Sequence, residues 1–200
     1  MTDPVAVPPL RARPDVLDFL SARRSRPAKT LRGPAPDRDA LRTLLTLAAR
    51  VPDHGKLEPW RFVVLTGGAL RRLADAAEAR AGALGLDADK AAKLRAMFAD
   101  APCVVAVVAS PVDSPKIPEV EQTLSAGAAC LALLNAAHAA GWGANWLTGA
   151  MAYDAPFLRG ALGLDDGQWV AGYVVIGTEG PVPTDRPRPD MDALTRWVER

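Results

Sequence analysis

Cysteine is scarce: Cys103 and Cys130 are the only two in 200 residues, and neither belongs to a CxxC pair or a Cys/His cluster. That argues against a disulfide framework and against a zinc site. Histidine is equally scarce, with His54 and His138 alone, and the carboxylates are scattered without metal-ligand spacing, so no metal is expected. Charge of neither sign is in excess. The 24 Lys and Arg stand against 23 Asp and Glu, a net +1, which gives a nucleic-acid partner no electrostatic footprint. Neither GxGxxG nor GxxxxGK(S/T) occurs, so a Rossmann or P-loop nucleotide site has no support. A GxSxG elbow and a recognisable Ser/His/Asp triad signature are also missing. An enzyme built from this chain would take its chemistry from an organic cofactor. The opening residues, MTDPVAVPPLRARPDVLDF, carry no charged-then-apolar signal segment, and the expected home is a reducing cytoplasm.

What is abundant is alanine, 38 of the 200 residues. Hydrophobic residues total 49%. Without alanine about 30% of the chain remains as core formers, above the range of disordered chains. A chain of this length fits one domain and buries roughly 70% of its unfolded surface without staples. From Gln122 to Tyr153 there is no formal charge. That stretch is mostly Ala and Gly, interrupted by Ser125, Asn135, His138 and Asn145, without close basic flanks. It reads less as a membrane span than as a buried or interface helix whose small residues permit close packing.

Residues 1–14 hold four prolines and read as an extended arm, with residues 15–200 forming one domain. Asp15 is expected to cap a helix running through Arg24, with Val16, Phe19 and Leu20 on one face. Asp37 opens a second helix in which Leu41, Leu44, Leu45 and Ala48 recur, and Pro52 stops it. WRFVVLT at 60–66, bounded by Gly67-Gly68, is a strand. Ala-rich helices follow over 69–84 and 88–99, the second capped by Asp87. CVVAVVAS at 103–110 is a continuous apolar run, as for a strand covered on both faces. PVDSPKIPEVEQ is too rich in proline to be an element interior. A long helix spans 121–140 and ends at Gly141. After it come a short strand at 144–147, a helix at 154–162, the strand WVAGYVVIG, an extended tail and a last helix over 191–199. Helices cluster in runs between strands, which suggests an α+β fold with helical cover rather than regular βαβ repetition.

Four clusters are candidates for chemistry. Arg23-Arg24-Ser25-Arg26 closes the first helix; cations suit the negative helix end, and guanidinium groups with a nearby hydroxyl also make a phosphate clamp. Arg50 to Lys56, with Asp53 and His54 between, is a donor-rich turn leading into a strand. It serves either as ordinary turn chemistry or as a seat for a planar, oxygen-bearing ring. Glu119 and Glu121 open the long helix, where acids favour the dipole. Trp146 and Thr148 lie at the end of the short strand, where Trp146 is either a core indole or a ring face for a ligand. His138 sits in an apolar helix and reads as packed there.

Taken in order, RRS, then RVPDHGKLEPWRFVV, PKIPEVEQTLSAGAAC, GWGANWLTG and AGYVVIGT, the chain resembles the nitroreductase family of flavin enzymes from about Leu17 to Thr178. Within the family it is most similar to the short, PDH-containing branch of NAD(P)H nitroreductases. The resemblance implies an α+β sandwich with a central, mainly antiparallel sheet covered by helices, and an intertwined homodimer with two shared FMN sites. It assigns Arg23, Arg24 and Ser25 to the FMN phosphate and ribityl chain, and Arg50 and His54 to approach from the partner subunit. Trp146, Leu147 and Thr148 would line the flavin from the first subunit. The segment Ala136, Ala137, His138, Ala139, Ala140 and Gly141 resembles the stretch given to NAD(P). Hydride would pass from NAD(P)H to FMN and then to a second small molecule, such as a nitroaromatic or quinone, in a two-step (ping-pong) cycle. Relatives that dehalogenate substrates or break down the flavin itself, and a flavin-binding protein without turnover, are the alternatives. The chain departs from the wider family in having Asp53 and His54 where Ser and Asn are usual, Glu58 where Gln is common, and Leu147 where Arg can stand.

Overall fold

The two central strands of the chain are runs rich in valine, buried along nearly their whole length, and their side chains build the core. The computed structural model describes residues 7–200; the arm proposed for residues 1–14 thus lies partly outside the described residues. Four strands, β1 (Trp60–Leu65), β2 (Cys103–Ala109), β3 (Gly143–Leu147) and β4 (Trp169–Gly177), form one sheet in the order β1-β2-β4-β3. Every pairing is antiparallel. β2 pairs with β1 on one side and β4 on the other, and all seven of its residues are buried.

Side chains two apart on a strand share a face. Val104, Ala106 and Val108 of β2 therefore join Val170, Tyr173 and Val175 of β4 beneath three helices, α3 (Gly68–Ala83), α4 (Ala88–Ala99) and α6 (Ala155–Leu162), which contribute Leu73, Phe98 and Phe157. The intervening Cys103, Val105 and Val107 join Val174 and Ile176 on the other face, under α2 (Arg38–Ala48) and α5 (Glu119–Ala139). The result is an α+β sandwich. Cys103 and Cys130 are both buried as free thiols, pushed up to about 11 and about 12 by burial, so neither serves as a thiolate at neutral pH.

α5 is the spine of the second layer. Its 21 residues make it about 30 Å long. Ala126, Ala129, Cys130 and Ala137 let it lie close to the sheet, and β4 answers with Gly172, where a Cβ would collide with Cys130 and Trp146. Its outward side exposes Val120, Leu124 and Leu131, residues four and seven apart that share a face.

The sequence-predicted elements are present, with shifts at their ends. Asp37, Asp87 and Asp154 cap their helices, accepting from the N–H groups of Ala40, Lys90 and Phe157. Asp15 does not cap. The first helix, α1 (Pro14–Ala22), begins after Arg13, and Asp15 in its first turn pairs with Arg13 at 2.7 Å. Pro14 explains the earlier start, because it lacks the N–H that an N1 position leaves unpaired. Val16 and Leu20 remain exposed while Phe19 is half-buried, so the apolar face of α1 is only partly covered by the described residues. The final helix, α7, is short, Met191–Leu194, and ends before the expected Glu199. Among the described residues no helix is long and apolar enough to cross a membrane.

Candidate functional site

The backbone after α1 leaves the helix at Arg23, whose φ of −57° and ψ of 137° are extended. The chain then runs beside the edge of β3: the Arg26 N–H donates to the Ala144 carbonyl at 2.9 Å, and the Asn145 side-chain amide donates to the Arg26 carbonyl at 2.8 Å. This strand-like course brings the arginines to the C-terminal end of α5. A cavity of about 250 Å³ opens there, lined by Arg23, Arg24, Arg26, Phe19, His138, Gly141, Trp142 and Glu179.

The charges in this cavity are unbalanced. Arg26 is paired with Glu179. Arg24 spends its donors on carbonyls of Thr184 and Ser25, both at 3.4 Å. Arg188, from the tail, is held by both oxygens of Asp185 and donates to the Ser21 carbonyl at 3.2 Å. Among the described residues the Arg23 side chain has a single bond, 3.2 Å to the Ser25 hydroxyl, and its buried Nε has no partner. Burial, and then the charges of Arg188, Arg24 and Arg26, lower its proton affinity. A partly buried guanidinium facing three other arginines lacks an anion, and a phosphate group supplies oxygens of the charge and geometry it needs.

His138 forms one wall. Its Nε2 lies 3.1 Å from the Ala144 carbonyl, so the neutral ring carries its proton there, and Nδ1 is buried without a partner among the described residues. Burial chiefly, with Arg23 and Arg26 adding, holds its pKa below the ordinary value. The expected nucleotide segment 136–141 thus meets the arginine cluster at His138 and Gly141, whereas Ala137 is sealed in the core. Ala136 is half-buried; Ala139 and Ala140 are exposed.

Trp146, Leu147 and Thr148 diverge because side chains alternate along β3. The Trp146 indole packs on the α5 side and donates to the Ala171 carbonyl at 3.1 Å. Leu147 packs in the opposite layer beside Met97, and Thr148 is exposed. Their side chains do not share one face.

The second cluster lies elsewhere. Arg50 follows α2 and is exposed, as are His54 and Lys56. Asp53 shapes the turn, accepting the N–H groups of Leu57 at 3.1 Å and Glu58 at 2.9 Å. Gly55, with φ of 72°, is needed both for that left-handed backbone and because Ile117 occupies the place of a side chain. The Ser125 hydroxyl donates to the Pro52 carbonyl at 2.7 Å and accepts from the Trp60 indole at 3.1 Å, tying the turn to α5. His54 Nδ1 lies 2.7 Å from Glu121 Oε2 at the start of that helix. Glu121 and His138 are 17 residues apart on α5, about 25 Å. Within one chain, therefore, the Arg23 and His54 clusters occupy opposite ends of a helix.

Sequence reasoning did not foresee the Glu121–His54 contact, since the acid has an adequate role at a helix start. Nor did it place Glu179 or Phe19 beside the arginines. Arg188 carried a faint signal as part of a basic Arg-Pro-Arg tail.

Residues 20–178 match the model of the nitroreductase family. The chain is 36% identical over 164 residues to the Escherichia coli (strain K12) protein named "Putative NAD(P)H nitroreductase YdjA", covering 82% of this chain and 88% of that one. Its fold is similar to a nitroreductase-like family protein from Bacillus cereus, with a TM-score of 0.78 at 24% identity over 97% of this chain and 100% of the other. It is also similar to the FMN-dependent nitroreductase NfnB from Mycobacterium smegmatis in complex with NADPH, with a TM-score of 0.69 at 18% identity, covering 92% and 98%. With the family model spanning most of the chain and the sandwich matched end to end, this protein belongs to the nitroreductase family of oxidoreductases.

Proposed function

We propose that the chain is an FMN-dependent NAD(P)H oxidoreductase that reduces a small organic acceptor, such as a nitroaromatic or a quinone, and works as a homodimer with shared sites. The observation that carries the reading is Arg23: a partly buried cation among three others, its Nε without an acceptor among the described residues. In this reading Arg23 and Ser25 hold the phosphate and the adjoining ribityl chain, with Arg24 and Arg188 adding to the field. Bound FMN supplies hydride acceptance from NAD(P)H and hydride donation to the acceptor. The protein's part is to bind, orient and stabilise charge on the reduced ring, for which Arg50, His54 and Lys56 are the donors at hand. Residues 136–141 border the nicotinamide nucleotide in this proposal, and the backbone at 146–148 borders the flavin.

The homodimer is supported by distance and by surface. About 25 Å of helix separates the two clusters, more than one FMN molecule spans, so both serve a single flavin only when they come from different chains. Val120, Leu124 and Leu131 on α5, with Val16, Leu17 and Leu20 on α1, leave apolar faces uncovered that a second copy can bury.

The test is direct. Purified protein is expected to show the visible spectrum of oxidised flavin, to bleach on anaerobic addition of NAD(P)H, and to regain colour with a nitroaromatic or quinone. A colourless preparation that refuses added FMN refutes the cofactor. A flavin reducible by dithionite but not by NADH or NADPH refutes the reductase.

A further inference from the structure

The turn before β1 is held in a conformation its residues do not favour. Lys56 and Glu58 have φ of 57° and 48°, a left-handed region in which a residue with a Cβ is strained. Such backbone persists where the surroundings over-determine it. Here the restraints are explicit: the Asp53 carboxylate takes two backbone N–H groups, Ser125 holds the Pro52 carbonyl, and Ile117 fills the space beside Gly55. A turn so fixed displays what stands on it, and His54 stands on it with its side chain 72% exposed.

One contact orients the ring itself, the 2.7 Å approach of His54 Nδ1 to Glu121 Oε2. Glu121 lies in the first turn of a 21-residue helix, which is anchored along the sheet, and among the described residues it pairs with no other cation. We infer that Glu121 is a positioning residue for His54: by accepting the Nδ1–H it fixes the imidazole and leaves Nε2 as the nitrogen displayed to the flavin site. The inference rests on the flavoenzyme reading above. A carboxylate on one ring nitrogen selects the tautomer with the proton on that nitrogen. His54 keeps Nδ1–H on Glu121 in either charge state, so Nε2 is an acceptor in the neutral ring and becomes the donor toward the reduced flavin only in the imidazolium. An exposed pair of this kind contributes little alone. Covered by a cofactor and a second subunit, the same pair is shielded from water and its hold on the ring strengthens.

Two measurements test it on the full-length protein. Long-range 1H–15N correlation of His54 is expected to show the Nδ1–H tautomer in the neutral ring, reverting toward Nε2–H in Glu121→Ala. FMN affinity, read by flavin fluorescence, is expected to fall about three- to tenfold in Glu121→Ala, the scale of an ordinary net hydrogen bond, because the acid acts through His54 and does not touch the flavin. The same change on a His54→Ala background should cost less than about twofold. Glu121→Gln, which keeps an acceptor, should retain most of the affinity and the Nδ1–H tautomer. An Nε2–H tautomer in the parent protein, or equal losses in both backgrounds, overturns the inference alone, since the acid would then act only on the helix. Failure to take up any FMN brings down the flavoenzyme reading itself, and the inference with it.

Discussion

Replacing Arg23 by alanine separates the protein's need for an anion from its need for structure. Among the described residues the Arg23 guanidinium makes one 3.2 Å bond, to the Ser25 hydroxyl, and faces the like charges of Arg24, Arg26 and Arg188. Its loss removes repulsion along with that bond, so thermal stability of the flavin-free protein should hardly change. Phosphate binding should respond strongly. A hydrogen bond to a charged group contributes about 1.5–3 kcal/mol, which at about 1.4 kcal/mol per tenfold is roughly a 10- to 150-fold rise in Kd. The neighbouring arginines keep part of the attraction, which favours the lower half of that range. The assay is a titration of flavin fluorescence with FMN and, in parallel, with riboflavin, which lacks the phosphate. FMN should lose nearly the whole amount and riboflavin little. Added salt should weaken FMN binding more than riboflavin binding in the parent protein, because it screens the arginine cluster. Equal losses for both flavins, or an FMN affinity untouched by the substitution, would refute the assignment of Arg23 to the phosphate.

Three further outcomes follow from the same geometry. Burial holds folded His138 below its ordinary pKa of 6.5, so as pH falls the unfolded chain takes up the proton first. The stability tied to neutral His138 is therefore complete above about pH 6.5 and is lost as pH drops through the folded value. Urea midpoints of the flavin-free protein should fall from about pH 7 to 5, and His138→Gln should flatten that fall; a midpoint that rises on acidification contradicts the reasoning. Gly172→Ala places a Cβ against the Trp146 indole and Cys130 Sγ. It should cost about 1–3 kcal/mol in urea unfolding, the usual toll of overpacking, and alter tryptophan fluorescence; an unchanged midpoint would show that α5 can move off the sheet. Finally, chains carrying Arg23→Ala and chains carrying His54→Ala, each weakened in flavin binding alone, should give one site of parent affinity when co-expressed as mixed dimers. Isolated mixed dimers without recovered flavin binding would exclude sites shared between subunits.

Local physics accounts for most of what was legible in advance. The helix starts at Asp37, Asp87 and Asp154 rest on side chains that reach only three residues along the chain. At α1 the same rule fails, because Asp15 has a competing partner in Arg13, two residues away, and the helix starts at Pro14. The alternation that makes Trp146 and Leu147 part company is also local, yet it counts only once β3 is known to be covered on both faces.

The sequence by itself determined the strands, the helices and their order, because a continuous apolar run, a 3.6-residue period and a capping aspartate are short-range signals. It also carried the ordered motifs that mark the family. Tertiary structure alone decided what those motifs touch. Arg23 and Arg188 are 165 positions apart, and their mutual repulsion exists only because the tail returns to the end of α1. His54 and Glu121 are 67 positions apart, and their 2.7 Å contact exists only because Ser125 and Ile117 seat the turn on α5. The same helix keeps His54 from Arg23 by its length, a separation set by 1.5 Å of rise per residue that no local motif encodes.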